Sequence, residues 1–307
     1  MPRLIDDIRT PGARIEMPWY VESDFEPAWA QVCGQVCKLL TDPDLPVLLI
    51  DNVADYYFGA DQEYWDLKRD FPNLAPPYPM FWAEHKIPRK IHSKECGDSD
   101  MAAFIPHGRI GVFVYALDPR DAEGEGIPAA TKWILWCELF IDYGEKGITA
   151  QGPHGTLFLA IDADGAVLEQ PSIRSYASTE HNKVIQGLMA QLHPTFLAIS
   201  FLHCRNVSVV DNQVSAPLAR KYQRKTGITP TPYKTLIIEP LKQVLRHEGR
   251  SHEVGVPKAL HICRGHFRDY REGRGLFGKY HQLVWSPATV RGSRGEAAPP
   301  REVKVKV

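Results

Sequence analysis

Between residues 101 and 161 the chain sets four strand-like segments in a row with no helical pattern between them. They are 101–106 (MAAFIP), 110–117 (IGVFVYAL), 133–142 (WILWCELFID) and 156–161 (TLFLAI). Consecutive strands without crossover helices pair antiparallel. The stretch therefore argues against a doubly wound sheet and predicts an α+β fold, with a mixed or mainly antiparallel sheet and helices packed on one side of it. His107-Gly108-Arg109 reads as a turn joining the first two segments into a hairpin. Asp162-Ala163-Asp164-Gly165 turns the chain after the fourth. Its start resembles a calcium loop, but the distal carboxylate is missing, so a hairpin turn is the better reading.

Helical periodicity appears on either side of this block. In 24–40, Trp29, Val32, Cys33, Val36, Leu39 and Leu40 recur at helical spacing, with Asp24 as candidate N-cap. Cys33 and Cys37 share a face, as half a metal site or as small buried residues; no comparable His/Cys pair lies nearby, which favours burial. In 179–203, Val184, Ile185, Leu188, Met189 and Leu192 share a face, and Pro194 is expected to kink or split the helix. Residues 46–50 (PVLLI) read as a short buried strand, 71–79 as a rigid proline-rich connection, 219–232 as an exposed loop and 234–239 as a strand. No apolar run approaches the roughly 18–20 residues of a membrane span. The N-terminus shows no apolar core of signal-peptide length, so an unexported, cytoplasmic protein is expected. Six cysteines in 307 residues do not make a disulfide scaffold. No P-loop, dinucleotide fingerprint, serine nucleophile elbow or zinc-protease helix occurs, and no cofactor is expected.

The net charge of −1 conceals an asymmetry. Residues 1–218 hold 17 Lys+Arg against 30 Asp+Glu, and residues 219–295 hold 16 against 5. An acidic body thus precedes a basic C-terminal part within one expected domain, 1–291, followed by a flexible tail, 292–307. Either the two parts attract each other within one fold, or the basic part faces an anion, most often nucleic acid.

The basic part is densest over 257–291. His261 and His266 flank Arg264-Gly265; Arg268, Arg271 and Arg274 follow, with Phe267, Tyr270, Phe277, Tyr280 and Trp285 interleaved. Arginine presents a planar fork of donors to phosphate or carboxylate, and aromatic faces stack on unpaired bases. Gly265 lets a ligand approach the backbone. The candidate binding residues are Arg264, Gly265, Phe267, Arg268, Tyr270 and Trp285. Three other chemistries compete with binding. His261 and His266 could act as a base and acid pair in metal-independent RNA cleavage, with Arg264 stabilising the developing charge. Cys263 and His266 could join His203 and Cys204 at zinc, but adjacent ligands make poor geometry, and no metal is expected. Last, the arginines could simply clamp the acidic body, leaving a protein-interaction module without nucleic-acid binding.

His261-Ile262-x-Arg264-Gly265-His266-aromatic-x-x-Tyr270, followed by Trp285-x-Pro287-Ala288-x-Val290, resembles the C-terminal signature of the second type V-A anti-CRISPR protein family. That signature has a His-x-Arg-Arg-Gly-His-Trp core, a basic glycine-rich stretch and a Trp-x-Pro-Ala ending. Here Cys263 replaces the first Arg and Phe267 the Trp, and the match covers residues 257–291. The resemblance implies a phage- or plasmid-encoded protein acting in the host cytoplasm. It would lower production of a host or competitor polypeptide, such as a CRISPR effector nascent chain, by binding that chain together with RNA or the ribosome.

Overall fold

The computed structural model describes residues 3–17, 26–59, 66–86, 108–122, 127–144, 147–150, 157–168, 172–173, 181–238, 261–263, 265–276, 280–286 and 289–291. In chain order the elements are α1 (Leu4–Arg9), β1 (Ile15–Glu16), α2 (Glu26–Leu40), β2 (Val47–Leu49), α3 (Asp51–Gly59), α4 (Leu67–Asp70), β3 (Met80–Lys86) and β4 (Arg109–Leu117). Then follow β5 (Trp133–Asp142), β6 (Ile148–Ala150), β7 (Leu157–Ile161), β8 (Ser172–Ile173), α5 (His181–Leu202), β9 (Val207–Asn212), α6 (Ala216–Thr226) and β10 (Tyr233–Ile238). The last four strands are β11 (His261–Cys263), β12 (His266–Asp269), β13 (Leu283–Ser286) and β14 (Thr289–Arg291).

Ten strands form one mixed sheet along the path β1-β6-β5-β4-β3-β2-β10-β9, with β7 and β8 continuing from β5. Three pairs are parallel, β1–β6, β2–β3 and β2–β10, and the others are antiparallel. The α+β expectation holds. The expectation of helices on one side does not. Alternate residues of the central strands feed two separate cores. Phe81, Ala83, Val112, Val114, Leu139 and Ile141 pack with α3 and α5, while Trp82, Phe113 and Phe140 pack with α1 and α2. Burial on both faces accounts for the near-continuous apolar runs of β4 and β5. Gly111 of β4 lies under the Trp82 ring, where any Cβ would collide.

The expected hairpin of 101–106 with 110–117 is also corrected. Residues 101–107 lie outside those described, but both edges of β4 are taken, one by β3 and the other by β5. Among the strands missed in the sequence is Met80–Lys86. Its interior Glu84 and His85 break the apolar run that marks a buried strand, yet both are fully buried. Glu84 accepts main-chain hydrogen bonds from Leu4 (2.8 Å) and Ile5 (3.2 Å), so a strand carboxylate caps helix α1. It also accepts from the Trp82 indole at 3.0 Å and pairs with Arg109, which reaches Asp51 at 3.0 Å.

Other expectations fall close to the observed elements. Residues 133–142 are β5, 157–161 are β7 and 233–238 are β10. Asp162 Oδ1 accepts from the amides of Asp164 and Ala166, and Gly165 takes φ +86°, so 162–165 is a turn. Asp24 lies outside the described residues, as do the tail 292–307 and residues 239–260. Helix α5 is not split at Pro194 but runs unbroken through it for 22 residues. Burial of Leu192, Phe196, Leu197, Ile199 and Phe201 outweighs the roughly 3 kcal/mol that an internal proline costs. Among the described residues no helix is long and apolar enough to cross a membrane.

Candidate functional site

The C-terminal module is a β-ribbon. β11 pairs with β14, and β12 with β13, in antiparallel ladders of the same register offset. Each ladder is a two-stranded sheet of its own among the described residues.

Cross-strand partners Phe267 and Trp285 meet edge to face at 4.7 Å. Trp285 also packs on Phe201 of α5 (4.9 Å) and Tyr56 of α3 (5.1 Å), and only 4% of it is exposed. These two rings, expected as stacking faces for a ligand, are used in holding the ribbon on the body. Asn206 fixes the same point. Its carboxamide oxygen accepts from Trp285 N–H at 3.0 Å, and its NH2 donates to Trp285 C=O at 2.8 Å. Gly265 C=O accepts from the Tyr56 hydroxyl at 3.4 Å. Arg205 N–H donates to Leu283 C=O at 3.1 Å, and Tyr270 N–H to Gln282 C=O at 3.0 Å.

His266 is exposed and Arg268 half-buried; Arg268 Nε donates to His266 Nε2 at 3.2 Å. The side chains of His261, Cys263 and Arg264 lie outside those described. Cys204 donates to Ser200 C=O at 3.5 Å, and burial pushes its thiol up to about 12. His203 Nε2 donates to Ala75 C=O at 2.8 Å, and burial holds its pKa below the ordinary value. Neither is set as a metal ligand, and among the described residues no three His, Cys, Asp or Glu side chains cluster.

Where the ribbon meets the body lies an open cleft of about 300 Å³, lined by Asn73, His203, Cys204, Arg205, Arg271, His281, Gln282 and Leu283. Among the described residues no carboxylate lines it. Arg271 is nevertheless heavily engaged. It pairs with Asp269 at 2.7 Å, and donates to the main-chain oxygens of Asp164 (2.9 Å) and Pro72 (3.3 Å). The Arg271 guanidinium in turn holds the Asp269 carboxyl below its usual range. Arg205 lies over the Tyr280 ring at 4.6 Å. His281 Nδ1 donates to Arg271 C=O at 3.3 Å.

A second basic surface overturns the expected loop at 219–232. Residues 216–226 form helix α6, with Pro217 in its first turn and Gly227 closing it at φ +80°. It carries Arg220, Lys221, Arg224 and Lys225, contains no acidic residue and buries no residue. The spacings of three and four place these cations along one side. The helix was hidden because its composition is polar and prolines bound it. The legible signal was the Pro-in, Gly-out punctuation.

Comparison with known proteins finds no match to this chain among protein-family models, curated sequences or solved structures.

Proposed function

We propose that this chain is a non-catalytic regulatory binding protein, similar in kind to the type V-A anti-CRISPR family, that acts in a host cytoplasm. On this reading it holds RNA on its basic C-terminal part and engages the polypeptide whose production it lowers. The observation that carries the reading is helix α6. Four cations stand on a helix that contributes nothing to the core. Among the described residues none of them forms an ion pair, and Lys225 lies near enough to Asp7 to act on its carboxyl. Cations that do not clamp the body are free to meet an external polyanion. The resemblance at 257–291 supports the mobile-element setting.

The test is titration of a labelled single-stranded RNA of about 20 nucleotides at several salt concentrations. Four phosphate contacts give a log–log salt slope of roughly −3, and removing two lowers its magnitude by about 1.4. Arg220→Glu with Arg224→Glu is expected to weaken binding at least about tenfold and to flatten that slope. It should leave the melting temperature unchanged, because both arginines are exposed. The RNA stays full length throughout. Absence of RNA binding, or binding indifferent to this double substitution, removes the reading; cleavage lost in His261→Ala or His266→Ala would replace it with a ribonuclease.

A further inference from the structure

Strand β9 ends the ten-stranded sheet, and its outer edge is bare. β10 pairs with all six of its residues on one side, and among the described residues no strand pairs with the other. Ser208, Val209, Val210 and Asp211 are all exposed. An open edge offers a row of unpaired N–H and C=O groups, and proteins ordinarily blunt it with proline, lysine, a bulge or a covering element. β9, Val-Ser-Val-Val-Asp-Asn, contains no proline and no lysine, and its ladder to β10 runs without a bulge. Its one charge, Asp211, is held by Lys234 across the ladder.

Apolar exposure gathers at the same place. Four large hydrophobic side chains stand exposed among the described residues: Val209 (39%), Val210 (37%), Ile237 (46%) and Leu218 (53%). The first two are on β9, and Ile237 is on its only neighbour, opposite Ser208 and diagonal to Val210 on the same face. Leu218 opens α6, just after the strand ends. An apolar patch concentrated beside an unpaired ladder marks a docking edge.

We infer that β9 takes an added strand: an extended segment of a partner polypeptide, apolar at alternate positions and acidic at the end that lies toward α6. Main-chain ladder bonds supply affinity, and Val210 and Ile237, which share a face, receive the apolar side chains, while Val209 stands on the opposite face. The acidic end follows from charge. Beyond Asn212 the chain leads within four residues into α6, whose cations face no acid of their own helix. A second copy is a poorer occupant. Paired antiparallel, it would bring each α6 toward the Arg205 end of the other strand, cation toward cation. The inference rests on the reading that the chain engages a polypeptide, and it names where and how.

The experiment selects binders to the full chain from a displayed library of random peptides about 12 residues long, then measures the best as synthetic peptides. Val210→Lys places a charge on the edge without touching the core. It is expected to weaken binding at least tenfold while melting temperature and RNA binding hold. Methylating alternate backbone nitrogens of the peptide gives two isomeric sets. A strand uses one set of N–H groups, so one isomer loses at least tenfold and the other keeps its affinity. Replacing the peptide's acidic residues by amides costs several-fold and removes salt dependence. A peptide that binds Val210→Lys as well as it binds the unaltered chain overturns the edge and leaves polypeptide engagement standing. If no peptide binds either protein, that engagement itself falls. A concentration-dependent dimer abolished by Val210→Lys assigns the edge to a second copy and overturns the partner segment.

Discussion

His85 is wholly buried in β3 with neither ring nitrogen hydrogen-bonded. Burial pushes its pKa down to about 3, the nearby Asp51 opposing and Arg109 assisting. His193, mostly buried and bonded to the Tyr57 hydroxyl at 2.9 Å, is pushed down to about 4 by the same cause. The unfolded chain protonates both near their ordinary 6.5, whereas the folded chain does not. Stability held above pH 6.5 is therefore lost as pH falls toward 3 to 4, by about 3 kcal/mol for His85 at pH 4. Asp7 opposes this. Burial pushes its carboxyl up to about 6, so folding gains from its protonation as pH falls from 6 to 4. Two histidines outweigh one carboxylate. Urea midpoints are thus expected to drop from pH 7 to pH 4, and His85→Phe should shrink the drop. An equal drop in both proteins contradicts the burial argument. None of this was legible in the sequence. The sequence assigns no element to 80–86, because what satisfies Glu84, the amides of Leu4 and Ile5, lies about 80 residues away.

At the scale of elements, legibility followed burial pattern. β4, β5 and β7 declared themselves because their runs are apolar and bounded by turn residues. β9 did not, since its exposed Val-Ser-Val-Val shows no clean alternation of apolar and polar residues. α6 was missed because its composition is polar and prolines bound it, although Leu218 and Tyr222 sit four apart on one side. At the candidate site the sequence located the ribbon but not the division of labour within it. Phe267 and Trp285 read as ligand platforms because interleaved aromatics look alike whether they face solvent or Phe201. The element that receives them, Asn206 at the end of α5, gave no signal. Asn206 is 2% exposed and satisfies both main-chain groups of Trp285. Asn206→Ala leaves a buried N–H and a buried C=O unpaired, at an expected cost of about 2–4 kcal/mol. Asn206→Asp restores only the acceptor, so chemical denaturation should rank it below wild type even though the shape is kept.

For the whole molecule the charge asymmetry posed a choice between mutual attraction and an external partner, and the docking of the ribbon bears on it. Among the described residues the ribbon joins the body through ring packing and main-chain hydrogen bonds. Arg271 donates to the main-chain oxygens of Asp164 and Pro72, and the nearby Asp164 and Asp162 carboxylates add a charge attraction without an ion pair among the described residues. Leu283 and Trp285 lie in the same buried cluster as β3, β4, β5 and α5. A part that shares the core has no separate core to melt, so the chain is expected to unfold in one transition. Trp285→Ala should lower that single midpoint, at about 3–5 kcal/mol, because the cavity opens in the common core and not at a surface seam. Salt separates the two roles of the basic part. Apolar docking is little affected by screening, whereas attraction between an acidic body and a basic module weakens steeply with ionic strength. Raising sodium chloride from about 50 to 500 mM is therefore expected to leave the melting temperature nearly level while RNA binding falls by orders of magnitude. A melting temperature that falls together with RNA affinity would mean that the cations hold the protein together. In that case the basic part is a clamp, and no RNA surface need be sought on it.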